Sequence, residues 1–548
     1  MSLPLLAAVV IAVLVLGYRF YGRLIARQFA LASTPDTPAH ANADGVDFVP
    51  TRPFYLFGQH FSAIAAAGPI VGPILACQQF GWLPAILWIV IGVVFIGAVH
   101  DFTTLVASVR HDARSIAEVV KHTLGDQAWL AILLFIWLAL VYVIVAFVDV
   151  TASTFVTGDA DAQGLTFRFN QGGAVALAST LYLGLAVVMG LVERYLKPPL
   201  WLSTLIFVPA TFFVVWLGTK FSTVIILDWR TWVLLILAYC AVASMVPMWI
   251  LLQPRGYLGG FVLYSALIVG TFGIFFGGFE IKQPATTGFD VGGPTGLLFP
   301  FLFVTIACGA CSGFHGLVCS GTTSKQIDRE THCHPIGYGA MLLEAFVAVI
   351  ALATIMIVAP NSKQGPNAIY ASGLGAFLHK LTGLDPLVAT TFGAMALSTF
   401  IFDTLDSGTR LGRYILQELF GRHDRASGYA ATALTVGVPL AFLLAANQGS
   451  YKLFWTLFGT SNQLLAALSL LAITVWLHKM KKPIWFTVAP TVLVFVITAV
   501  SLALQIKLLV RASVGTAPWI NGLVSLILLG LALALVGFAA RAWREPAT

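Results

Sequence analysis

The chain has 548 residues, 59% of them hydrophobic and only 10% charged, with a mean hydropathy of +0.90. Soluble domains carry about 25% charged residues, so the composition excludes an ordinary water-soluble enzyme and describes a polytopic membrane protein, read as one integral domain over 1–548. The net charge of +7 does not call for a nucleic-acid partner, because the basic residues fall in small groups between apolar spans, as loop orientation requires.

In chain order, residues 1–17 are apolar with neither a basic start nor an A-x-A-like cleavage site, which reads as a retained anchor. A peripheral first helix is expected over 1–30. The stretch 32–53, rich in Pro, Asp, Thr and Ala, reads as a cytoplasmic linker ahead of a membrane-embedded core at 58–476. Fifteen stretches approach the roughly 20 residues needed to cross a bilayer. They begin near residues 3, 58, 82, 126, 174, 200, 231, 258, 297, 335, 386, 427, 453, 484 and 518. Two intervals, Asn361 to Leu384 and Leu411 to Phe420, have room for a re-entrant or interfacial helix. With the first span running inward, most of the 30 Lys and Arg residues, Arg255 among them, fall in inner loops. The N-terminus is then outside and the C-terminus cytoplasmic. The last two spans, within 484–541, are expected to be peripheral.

The stretch Gly58–Ala76, GQHFSAIAAAGPIVGPILA, is apolar enough for a membrane. Gly68, Pro69, Gly72 and Pro73 nevertheless predict a broken helix, since an interior proline removes a hydrogen bond and clashes with the preceding turn. Backbone freed in hydrocarbon is tolerated only where protein or a water-filled cavity satisfies it. A second interrupted stretch, Phe299–Thr323, carries Gly309, Gly313, Gly316 and Gly321. IAAAGPIVGP at 64–73 aligns with IACGACSGFH at 306–315, and the two spans run in opposite directions. Paired, opposed, broken spans point to an inverted-repeat transporter with its site at the bilayer midplane; close packing through small residues is the plainer alternative. Five-helix repeats require a two-helix insertion, placed at 231–278.

Several motifs in order resemble the carbon starvation protein A family. They are FGQHFSAIAAAGPIVGP at 57–73, GAVHDF at 97–102, YCAVASMVPMWILLQPRGYL at 239–258 and FPFLFVTIACGACSGFHGLVCSGTTSK at 299–325, followed by IGYGAMLLEAFVA at 336–348, TLDSGTRLGRYILQEL at 404–419 and LFGTSNQLLA at 457–466. The chain departs from the usual family pattern at Gln59, His100 and Asp403. The resemblance implies a bacterial inner-membrane carrier of peptides or pyruvate and an all-α, leucine-transporter-like bundle with broken helices, inverted repeats and extra peripheral helices.

An ionisable residue inside a span is a functional candidate by default. His60 and His315, read as occupying equivalent parts of the two broken segments, are candidates for substrate or proton binding, with neutral histidines bonded to freed carbonyls as the bland reading. Gly68, Gly72, Ser312, Gly313 and Asn462 are further substrate-binding candidates. Ser461, Asn462 and Gln463 equally suit interhelical bonding. Glu344, deep in its span without a sequence-local partner, is a candidate proton relay. Asp101 is expected in a structural pair near Arg110 or in ion coupling. By the leucine-transporter comparison Ser398 and Thr399 fall on the eighth core helix and offer hydroxyls to Na⁺; back-bonding to the helix is the commoner use. Asp406 is either an i, i+4 partner of Arg410 or a gate.

Six cysteines in apolar spans give no disulfide framework, and the CxxC of Cys308 and Cys311 reads as packing. His332-Cys333-His334 has no second cluster at zinc-like spacing, so no metal site is assigned. There is no GxxxxGK[ST] motif for ATP-driven pumping. The expectation is a secondary active importer of short peptides or a small carboxylate such as pyruvate, working by alternating access. Proton coupling is preferred over Na⁺ coupling. Apart from the transported H⁺ or Na⁺ no cofactor is expected, and beyond substrate and lipid bilayer no partner is assigned; oligomeric state is left open. A channel and a metal-dependent membrane enzyme are the rival classes.

Overall fold

The computed structural model describes residues 2–44, 48–65, 67–156, 169–360, 362, 364–422, 424–446, 448–449, 451–507 and 516–545. Among them the chain is almost wholly helical, with only two isolated β-bridges. That follows from hydrocarbon, where a helix satisfies its own backbone groups.

Twelve of the fifteen expected stretches are single helices long and apolar enough to cross a membrane. The other three are the two interrupted segments and Trp229–Met245, a helix of 17 residues. The interval before Leu384 holds a further helix, Pro366–Thr382, closed by Gly383 in the left-handed conformation. The other doubtful interval is not separate: Leu411–Phe420 ends the 35-residue helix Pro386–Phe420. That helix begins where Asp385 Oδ1 accepts the amides of Leu387 and Val388 at 2.9 and 3.2 Å, a side-chain cap on otherwise orphaned donors.

The chain divides into two compact units, interleaved along the sequence. One comprises 1–4, 140–283 and 350–454, with Pro386–Phe420 packed against six of its helices, from Gln171–Tyr195 to Arg425–Leu444. Both helices of the expected insertion, Trp229–Met245 and Leu252–Phe276, pack on it.

The second unit comprises 5–139, 284–349 and 455–548 and holds both interrupted segments. Its 32–53 linker is sewn to residues 326–330: Thr51 N donates to Gln326 O at 3.1 Å, Thr37 Oγ1 to Ile327 O at 2.6 Å and Ala32 N to Glu330 Oε2 at 3.0 Å. Linker residues 45–47 lie outside the described residues.

Candidate functional site

Both predicted interruptions are present. The first lies between helices Pro53–Ile64 and Gly68–Phe80, which are bent by 46°; Ala66, at the break, lies outside the described residues. Pro69 sits in the first turn of the second helix, where a missing N–H costs nothing, and Pro73 lies inside that helix. The second segment runs Leu298–Thr305, unwinds over 306–312 and resumes as Gly313–Val318, continuing into a wide turn at Cys319–Thr323.

The two breaks pack against each other within this unit. A Cβ on Gly72 would come to 2.5 Å from Thr305 O, and one on Gly68 would collide with Cys308 Sγ. These glycines therefore permit the backbones to touch, and the space their side chains would take is filled by the second segment.

Unwinding leaves carbonyls and amides without helical partners, and neighbouring helices supply them. Trp88 Nε1 donates to Phe303 O at 3.1 Å, Trp455 Nε1 to Thr305 O at 3.1 Å and Gln463 Nε2 to Phe303 O at 2.9 Å. Past the break, Asn462 Oδ1 accepts from Phe314 N at 2.9 Å while its Nδ2 donates to Ser312 Oγ at 3.0 Å. Gly313 lies directly against that helix; a Cβ on it would come to 2.5 Å from Asn462 O. Asn462 thus caps the resumed helix from outside, the interhelical use that its residue type suggests. None of the three acceptor-seeking side chains Trp88, Trp455 and Gln463 was singled out by sequence as serving the break.

The titratable groups gather behind the second break. His100 Nδ1 is 2.7 Å from Asp101 Oδ1, and Asp101 Oδ2 is 2.9 Å from His315 Nδ1. His315 Nε2 is 3.2 Å from Glu344 Oε2, in ion-pair range but outside hydrogen-bond alignment. All four residues are fully buried or nearly so. Asp101 is therefore not paired with Arg110, which instead forks onto Glu330 with two contacts of 2.9 Å. Of its two partners, His100 is its neighbour on the same helix and His315 comes from a different one, which proximity to Arg110 does not reveal. Glu344 finds in His315 the partner that its own span lacks.

His60 and His315 are not equivalent. His60 precedes its break and His315 follows its own. His60 Nδ1 lies 2.9 Å from Thr323 Oγ1 on the second segment, and its Nε2 has no hydrogen-bond partner.

Ser398, Thr399 and Asp406 belong to the other unit. Ser398 Oγ is 2.8 Å from Ser179 Oγ, while Thr399 Oγ1 has no hydrogen-bond partner. Asp406 is not the partner of Arg410, whose Nη2 donates to the carbonyls of Ala243 and Val246 at 2.6 and 2.8 Å. It pairs instead with Arg255 at 2.7 Å. Arg255, expected in a loop, is wholly buried in Leu252–Phe276, which its carboxylate partners make tolerable. Of the residues in the Thr331–His334 stretch, His332 lies 3.9 Å from Asp328, Cys333 is buried, and His334 stacks on Tyr18 at 4.7 Å.

His315, held between two carboxylates, can exist in states differing by one proton. With both acids ionised, an imidazolium balances one of the two negative charges; one more proton makes the cluster neutral. Burying an unbalanced charge in a low-dielectric interior is costly.

A chain that crosses the bilayer many times and breaks two helices beside buried, titratable groups is a membrane transporter by class. Residues 2–363 and 358–501 match the family described as Carbon starvation protein CstA, and the chain belongs to that family. It is 34% identical over 571 residues to the Peptide transporter CstA of Campylobacter jejuni, covering 90% of this chain and 79% of that protein. It is 32% identical over 594 residues to the Pyruvate/proton symporter BtsT of Escherichia coli, covering 90% of this chain and 80% of that one. Among solved structures it is similar to an Eremococcus coleocola manganese transporter, with a TM-score of 0.48 and 12% identity over 91% of this chain and 98% of the other. The family and these relatives are transporters, and the chain is a multi-pass membrane transporter rather than an enzyme.

Proposed function

We propose that the chain is a proton-coupled secondary importer of short peptides or a small carboxylate such as pyruvate, working by alternating access in a bacterial inner membrane with its N-terminus outside. One observation carries the coupling: His315 lies between Asp101 and Glu344 within a buried site. Relatives named for peptides and for pyruvate with a proton support the substrate classes.

In this reading Glu344 takes up the coupling proton, His315 passes charge between the two acids, and Asp101 keeps the ring oriented. His60, with a free Nε2, and the unwound backbone around Ser312 and Gly313 receive the anionic end of the substrate, displacing Asn462 from the amide of Phe314. Half-helix N-termini favour such a group. Gly68 and Gly72 hold the two breaks together, so that motion of one moves the other. Asp406 acts as a gate through its pair with Arg255. Na⁺ coupling through Ser398 and Thr399 has one supporting observation, the unpartnered Thr399 hydroxyl.

The test is uptake of labelled dipeptide and of labelled pyruvate into proteoliposomes under separately imposed proton and Na⁺ gradients. The reading expects an inward proton gradient to drive accumulation of one of them without Na⁺. Accumulation that follows Na⁺ alone would transfer the coupling role to Na⁺, and absence of uptake under either gradient would reject the substrates named.

A further inference from the structure

The unit formed by 1–4, 140–283 and 350–454 has a charged cluster of its own. Arg255 is wholly buried on Leu252–Phe276 and pairs with two carboxylates of Pro386–Phe420. Its Nη2 donates to Asp403 Oδ1, and its Nη1 lies 2.7 Å from Asp406 Oδ2. Tyr239 OH, on Trp229–Met245, donates to the same Asp406 oxygen at 2.8 Å. Tyr182 OH, on Gln171–Tyr195, donates to Arg255 O at 2.8 Å, which fixes the backbone from which the guanidinium extends.

Two acids thus share one guanidinium. The neighbouring cation, Arg410, is turned away onto the carbonyls of Ala243 and Val246 at the end of Trp229–Met245, where a cation complements the helix C-terminus. Tyr182, Tyr239 and the buried thiol of Cys240 are the other titratable groups facing the cluster, and all are neutral at ordinary pH. Fully ionised, the two acids and this guanidinium sum to one negative charge inside a membrane protein, with Arg410 acting on Asp406 only from farther off, a costly arrangement.

The two acids are not alike. Asp406 Oδ2 accepts from Tyr239 OH and also lies beside the guanidinium, and its side chain is 2% exposed. Asp403 receives Arg255 alone and keeps 19% of its side chain exposed. Asp406 Oδ1, fully buried, has no hydrogen-bond partner. Residues 403 and 406 are i, i+3 neighbours on one helix face, so a protonated Asp403 is placed to donate to that open oxygen. We propose that Arg255, Asp403 and Asp406 form a second proton-binding site, in which Asp403 carries one exchangeable proton and Asp406 remains the ionised acceptor. This site goes beyond the coupling cluster at His315 and does not depend on it.

The experiment is infrared difference spectroscopy of the full-length protein in lipid nanodiscs between acidic and alkaline pH, with and without isotope-labelled aspartate. The expected result is a protonated-carboxyl C=O band, sensitive to the aspartate label, that is lost in Asp403→Asn and replaced in Asp403→Glu by a carboxyl band the label does not move. Should Asp403→Asn fail to fold, the Glu variant alone decides, because it keeps the carboxyl and changes its vibration. Every label-sensitive band surviving unchanged in either folded variant would reduce the cluster to a plain ion pair and overturn the proposal. Glu344→Gln removes a band insensitive to the aspartate label, so failure at one site leaves the other readable.

Discussion

His315 Nδ1 stands 2.9 Å from Asp101 Oδ2, across 214 positions of sequence, while the far side of the ring faces Glu344 at 3.2 Å. One imidazole therefore separates two acids from two other helices, and a single proton decides whether the trio is neutral. Gln at 344 keeps the shape of Glu and cannot ionise. The variant Glu344→Gln is expected to lose proton-driven accumulation by about tenfold or more, the equivalent of roughly 1.4 kcal/mol. Exchange of labelled for unlabelled substrate, which needs no net proton movement, should persist. Wild-type uptake should fall as the pH of the side supplying the proton rises, and the variant should be flat across the same range. Accumulation equal to wild type would take Glu344 out of the coupling step.

The close approach of the two breaks predicts a steric penalty. Gly72→Ala would bring a methyl to 2.5 Å from the backbone oxygen of Thr305, and backbone cannot swing aside as a side chain does. Overpacking of this kind costs about 1–3 kcal/mol. The control is Gly408→Ala on Pro386–Phe420, where nothing lies within 4 Å of the added carbon and better helix propensity is worth about 0.5–1 kcal/mol in the stabilising direction. Thermal unfolding in detergent should move down for the first variant and level or up for the second.

The membrane spans were legible because a helix in lipid must be long and apolar. The breaks were legible because Pro69 cannot continue a helix from the preceding turn and the glycines of 309–316 weaken one, although helix resumes at Gly68 and at Gly313. The partners were not. An orphaned carbonyl at Phe303 or Thr305 calls for a donor, but nothing local selects Trp88, Trp455 or Gln463 from all the donors in the chain. The same limit sent Asp101 to Arg110 and Asp406 to Arg410, the neighbours in sequence, when their partners are His315 and Arg255. Arg255 was placed in a loop because a charge next to an apolar run normally marks an interface. Only knowledge of its two acids reverses that.

Asn462 replaces a missing turn of helix, accepting from Phe314 N and donating to Ser312 Oγ. Truncation by Asn462→Ala leaves a buried amide unpaired, which costs about 1–3 kcal/mol. Asn462→Asp retains the acceptor for Phe314 N and loses the donor to Ser312. Unfolding temperatures should therefore fall furthest for Ala. Equal stability of the alanine variant and wild type would mean that water or another side chain takes over the cap.

Arg110 and Glu330 tie the chain's N-terminal segment to the turn that precedes Ala340–Met356. The guanidinium forks onto both carboxylate oxygens at 2.9 Å, and its Nη2 also donates to Phe29 O at 2.8 Å. Glu330 Oε2 in turn accepts from Ala32 N at 3.0 Å. Since Arg110 and Glu330 are only 21% and 13% exposed, salt screens the pair weakly. Arg110→Lys keeps the charge and loses the fork, because an ammonium cannot reproduce that planar geometry. It should lower stability by about 1–2 kcal/mol. Arg110→Ala should cost more, by leaving Glu330 partly buried without its cation. The more exposed His40–Asp328 contact, at 2.9 Å with side chains 38% and 28% exposed, should contribute little. Limited proteolysis within 32–53 is the direct readout: cleavage should accelerate in both Arg110 variants and stay near the wild-type rate in His40→Ala. The reverse order would place the hold on the linker at Asp328 instead of Glu330.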